Sequence, residues 1–124
     1  MPTALVALLD ALVILAFAAL GRASHSEGFG GTIAVAAPFL IAAGVGWLVQ
    51  RQRWSWALSR SFAAVVWAVT LALGMLLRHT VFDRGTAIDF IIVAALFLLL
   101  LLGGWRELAR WRVRARAAAP VAHD

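Results

Sequence analysis

The chain has no cysteine and no lysine, and only six acidic residues among 124. Without cysteine there is no disulfide framework and no thiolate metal site, although compartment is left open. Charged residues make up 14% of the chain, where a soluble domain carries about a quarter. Catalytic signatures are missing as well: there is no P-loop, no nucleophile elbow, no metalloprotease motif and no Ser/His/Asp set in one place. An enzyme is therefore not expected, and nothing calls for a cofactor.

Apolar side chains fill the space left by these absences. They form 64% of the chain, with a mean hydropathy of +0.93. A single small domain cannot hide that much apolar surface from water, so lipid must be the solvent for much of it. Four apolar runs, at about 4–21, 32–50, 61–77 and 88–105, hold 17 to 19 residues each. That is close to the ~20 a helix needs to cross ~30 Å of hydrocarbon. The first run has no basic residue before it and an acid inside it, so a cleaved signal is not expected. The segments between runs, "RASHSEGFGG", "RQRWSWALSR" and "RHTVFDRGTA", are short and join antiparallel neighbours. The fold class is all-α integral membrane: an antiparallel four-helix transmembrane bundle, one membrane domain over 1–124 with a basic tail at 106–124.

All eleven basic residues are arginine, and the net charge is +5. They gather at the ends of apolar runs, and no basic face with interleaved aromatics lies outside the tail, so nucleic acid is not an expected partner. Arg51, Arg53, Arg60, Arg106, Arg110, Arg112, Arg114 and Arg116 share one side, against Arg22, Arg78 and Arg84 on the other. The positive-inside rule then places both termini in the cytoplasm, with anionic lipid facing the arginine-rich inner side of a cell (plasma) membrane. Trp47, Trp54, Trp56, Trp105 and Trp111 fall at the same boundary, where an indole prefers to sit.

The halves resemble each other. Runs one and three end in Arg22 and Arg78; each is followed by a His, then Gly-Thr, then a run ending Gly-Trp at Trp47 or Trp105. Two parallel-repeat hairpins would produce this pattern, and so would recurring helix caps and positive-inside loops.

Asp10 is the residue that asks for a reason. On a helical wheel, Leu5, Leu8, Leu9, Leu12 and Leu20 share one broad face, while Thr3, Ala7, Asp10, Ile14, Ala18 and Gly21 lie opposite. The leucines suit lipid and the small residues suit helix contact, so Asp10 points into the bundle. A carboxyl group in hydrocarbon is either paired or neutral. Arg22 is twelve residues, or ~18 Å, away along the same helix. The expected partners are therefore on the third helix: Arg60 from the inner side, or Trp67 and Thr70 near mid-membrane. Trp67, Thr70 and Gly74 lie close on one face of that helix, with Arg78 continuing it. Pro38, six residues into the second run, removes a backbone donor and marks a kink and a cavity wall.

The outer loops collect Arg22, His25, Glu27, Arg78, His79, Asp83 and Arg84. No tight ligand spacing favours a metal. Arg22 and Arg78 could grip an anion or lipid phosphate, or snorkel as helix-end arginines do. Asp89 with Thr86 reads as a capping box opening the fourth helix.

"GRASH", "APF", "VVWAVTLALGMLLR" and "GGWRE", in that order and spacing, resemble the four-span membrane-protein family catalogued as domain of unknown function 3054. The resemblance runs from about Asp10 to Arg106. It implies pattern positions at Asp10, Gly21, Arg22, Ser24, His25, Pro38, Phe39, Trp67, Thr70, Gly74, Met75 and Arg78. Ala23 departs from it, where a second basic residue is expected. The resemblance implies an architecture and no reaction. Three functions follow as expectations: a structural or regulatory protein acting through helix contacts in a homo-oligomer or larger membrane complex; a minimal oligomeric transporter or channel subunit using Asp10 and the third-helix stripe; or a binder of lipid or hydrophobic ligand. The candidate functional residues are Asp10, Arg22, His25, Trp67, Thr70 and Arg78, with Pro38 and Gly74 shaping their helices.

Overall fold

The computed structural model describes residues 2–23, 29–80 and 88–118, the side chains of 21–23, 29–34, 89–90 and 117–118 excepted. Four long helices account for most of them: α1 (Thr3–Ala23), α2 (Phe29–Val49), α3 (Arg60–Thr80) and α4 (Ile88–Ala118). A short 3₁₀ segment, Arg51–Trp56, joins α2 to α3, and no strand occurs among the described residues. The all-α bundle expected from the apolar runs is the observed fold, in up-down order.

Length and composition suit a bilayer. The stretches Thr3–Leu20, Arg60–Thr80 and Ile91–Arg116 are long and apolar enough to cross one. In α2 the apolar stretch among the described residues is Val35–Val49, within a helix of 21 residues. α4 runs on past its apolar run into the basic tail, as expected of a tail that extends the fourth helix. At 1.5 Å per residue its 31 residues extend about 46 Å, well past a ~30 Å hydrocarbon core.

Every helix buries a row of side chains spaced by four, the spacing that stacks residues on one helical face. On α1 the row is Val6, Asp10, Ile14 and Ala18; on α2 it is Val35, Phe39, Ala43 and Trp47. On α3 it is Phe62, Val66, Thr70 and Gly74, and on α4 it is Ala94, Leu98, Leu102 and Arg106. α2 packs against α1 and α3, while α4 closes the bundle against α3 and α1. The leucine face of α1 is exposed at Leu5, Leu8, Leu12 and Leu20, with Leu9 half-buried, as the wheel implied.

Local contacts fix the α2–α3 corner. The Ser59 hydroxyl accepts the Phe62 backbone N–H at 3.2 Å, an N-cap for α3. The Gln50 amide donates to the Gly46 and Phe62 carbonyls at 3.2 and 3.3 Å, tying the last turn of α2 to the first of α3. Pro38 is buried within an α2 that continues as helix on both sides of it.

Two glycines on this pair of helices have opposite surroundings. A Cβ on Gly74 would lie 2.5 Å from Cδ1 of Phe39, whose ring also meets Phe17 edge-on at 5.7 Å. A Cβ on Gly44 would meet nothing within 4 Å. Gly74→Ala is therefore expected to destabilise the protein by about 1–3 kcal/mol through overpacking. Gly44→Ala should be neutral or slightly stabilising, since alanine is the better helix former. Melting of both variants in detergent checks the contrast.

Candidate functional site

The four buried rows meet in one layer near the start of α1 and α3, the end of α2 and the point where α4 leaves its apolar run. Each helix contributes one member: Asp10, Trp47, Phe62 and Arg106. The Asp10 carboxylate is only 1% exposed, and four hydrogen bonds fill its two oxygens. Arg106 supplies two in a fork, Nη1 to Oδ1 at 2.8 Å and Nη2 to Oδ2 at 2.7 Å. The indole N–H of Trp47 reaches Oδ2 at 2.9 Å, and that of Trp105 reaches Oδ1 at 2.9 Å.

Arg106 is itself 1% exposed and is held from every direction. Its Nε donates to the Ala57 carbonyl at 2.8 Å, and Nη1 also donates to the Leu102 carbonyl at 3.0 Å. Four of the five N–H donors a guanidinium carries are thereby used. Its charged carbon lies 4.8 Å from the Trp105 ring centre and 5.8 Å from that of Phe62. Trp47 closes the layer, edge-on to Phe62 at 4.8 Å. Desolvating an isolated carboxylate or guanidinium is costly, and a bidentate pair with its remaining hydrogen bonds satisfied is the arrangement that offsets this.

Such a network holds charge and does not expose it. Among the described residues no group of three or more His, Cys, Asp and Glu is placed to hold a metal ion. Asp10 does border a groove of about 390 Å³ between α1 and α2, lined by small residues including Ala4, Ala7, Ala11, Ala43 and Gly44.

The expected meeting of Asp10 with the third helix is corrected by these contacts. Arg60, at the start of α3, faces outward and pairs with Glu107, Nε to Oε1 at 2.7 Å; Glu107 also bonds Arg110. Thr70 is buried, but it stands eight residues from Phe62, about 12 Å along α3 from the Asp10 layer. Trp67 turns to α4, its indole donating to the Ala95 carbonyl at 2.9 Å. Trp67, Thr70 and Gly74 therefore do not form one stripe toward Asp10. Arg78 is half-buried near the far end of α3, and Pro38 does not line the α1–α2 groove. His25 and the side chain of Arg22 lie outside the described residues, as do Glu27, Asp83, Arg84 and the Thr86–Asp89 capping box.

A family model described as protein of unknown function (DUF3054) matches residues 7–109, most of the chain and all of the clamp that Asp10, Trp47, Trp105 and Arg106 form. The chain belongs to this family. No curated protein and no solved structure matches it.

In this DUF3054 chain the site residues that sequence reasoning missed are Trp47, Trp105 and Arg106. Trp47 and Trp105 read as boundary anchors, a role that Trp56 and Trp111 fit, being 67% and 65% exposed. Arg106 follows the apolar run and reads as the first residue of a basic tail. One signal pointed inward: Ala94, Leu98, Leu102 and Arg106 stand at intervals of four on a helix that continues to Ala118. The two Gly-Trp pairs of the similar halves, ending in Trp47 and Trp105, converge on a single carboxylate.

Asp10→Ala and Arg106→Ala should each cost about 3–5 kcal/mol, because either leaves a buried charge unpaired. The double variant should lose less than the sum of the two. A double-mutant cycle on reversible unfolding in detergent measures the coupling, and strictly additive losses would show that the pair does not interact.

Proposed function

We propose that the chain is a four-span integral membrane protein of the plasma membrane, with both termini cytoplasmic. In this reading it catalyses no reaction and acts through helix contacts, as a structural or regulatory element in a homo-oligomer or larger membrane complex. The observation that carries the reading is the saturation of Asp10. Its oxygens are filled by four donors, at 1% exposure, so the intramembrane acid is spent on joining α1, α2 and α4. The α1–α2 groove supports the oligomer. Ala4, Ala7 and Ala11 on the α1 wall and Ala43 and Gly44 on the α2 wall allow a further helix to approach closely, and the open space at Gly44 leaves room for it.

A second reading, a transporter or channel subunit, draws on the contact between that groove and Asp10. A path would have to break the Arg106 fork each time a cation or proton passed.

Asp10→Asn in proteoliposomes separates the two. The structural reading expects no proton or solute flux from either protein and a lower melting temperature for the variant. A wild-type flux that falls in the variant would support transport instead. The cysteine-free chain gives the oligomer its own check: Gly44→Cys should form disulfide-linked dimers in membranes and lipid-facing Leu100→Cys should not. Equal cross-linking at both positions would contradict packing through the groove.

A further inference from the structure

A second groove lies on the other side of α1, against α4. It encloses about 590 Å³, and its walls include Leu9, Leu58, Trp105, Leu108 and Val113, with Arg112 and Arg116 at one end. The α4 residues recur at the three-and-four spacing of a single helical face. The groove is therefore an apolar strip whose outer part carries two guanidinium groups one turn apart, with Val113 between them.

Among the described residues no acid pairs with either of those two arginines. Asp10 is taken by Arg106, and Glu107 by Arg60 and Arg110. Arg112 and Arg116 are exposed. Position matters too. Measured from Ile88, a ~30 Å hydrocarbon core ends about twenty residues along α4, near Leu108. Arg112 and Arg116 then stand at about 6 and 12 Å beyond it, at headgroup depth, while Leu9, Trp105 and Leu108 lie at the depth of acyl chains. A free anion would use the arginines and have no use for the strip; an uncharged lipid would use the strip and leave the arginines unmatched.

We propose that this groove binds one anionic glycerophospholipid, with a phosphate held by Arg112 and Arg116, its glycerol end against Val113 between them, and an acyl chain along Leu9, Trp105 and Leu108. Guanidinium groups suit phosphate because they present paired donors in a plane. The site rests on the reading that α4 crosses the bilayer. It also touches the clamp, because the Trp105 ring that lines the groove carries the N–H bound to Asp10. Bound lipid would therefore hold Trp105 in place and raise the stability of the bundle.

The test is native mass spectrometry and melting of the purified full chain, titrated with phosphatidylglycerol or phosphatidylcholine. Wild type should retain one phosphatidylglycerol in preference to phosphatidylcholine and melt at higher temperature with it. Arg112→Gln/Arg116→Gln should weaken phosphatidylglycerol binding roughly 30-fold, from about a factor of five for each surface arginine. Arg51→Gln/Arg114→Gln, with the same loss of charge elsewhere, should bind like wild type, and Leu108→Gln/Val113→Gln should bind less tightly with every arginine kept. Equal loss in the two arginine variants would mean diffuse attraction to a charged surface, and would overturn the site. Equal protection by glycerol phosphate, or full binding by the Leu108/Val113 variant, would overturn the acyl-chain part. Oligomeric state is read in the same spectra, so a monomer that binds lipid would refute the oligomer and leave this site standing.

Discussion

An acid in hydrocarbon must be matched by something, and in this protein the match is a bidentate guanidinium. The Asp10–Arg106 pair joins the first helix to the last across 96 residues of sequence. Because neither ion reaches water, each is stable only while the other is in place. Trp47 adds α2 to the same carboxylate, and the Ala57 carbonyl adds the α2–α3 connection through Arg106. α1, α2, α4 and the connection leading into α3 are thus registered at one layer, by directional contacts that apolar packing does not supply.

Away from that layer the bundle is held by shape. Rows spaced by four face inward on each helix, and small residues sit where backbones or rings come close. Gly46 shows this: a Cβ there would lie 3.4 Å from Cα of Val66 and Cβ of Val69. Such contacts tolerate sliding in a way the ion pair does not. A one-turn shift of α4 would move Arg106 and Trp105 together by about 5.4 Å and leave Asp10 with the Trp47 indole alone. The polar layer therefore sets register, while the apolar rows provide the area that lets it form.

Much of this was legible from residue order. The four helices, their antiparallel sense, the lipid-facing leucines of α1 and the inward direction of Asp10 all follow from hydrophobic runs, arginine placement and the 3.6-residue period. The partner of Asp10 did not follow, for three physical reasons. Hydropathy ends the fourth run at Trp105, so Arg106 counts as tail although the helix, and its buried row, continue. A tryptophan near a helix end has one composition signature whether its indole faces headgroups or a buried carboxylate. And a wheel reports direction but not depth: Thr70 faces inward, yet lies two turns of α3 away from the Asp10 layer.

In the polar layer, one carboxylate accepts the indole N–H groups of both Trp47 and Trp105. Hydrogen exchange at the tryptophan indoles, read by nitrogen-15 NMR on the full chain in lipid nanodiscs, tests it directly. Slow exchange is expected at Trp47 and Trp105, fast exchange at the exposed Trp56 and Trp111, and loss of the slow class in Asp10→Ala. Exchange at Trp47 and Trp105 as fast as at Trp56 and Trp111 in the unaltered protein would contradict it.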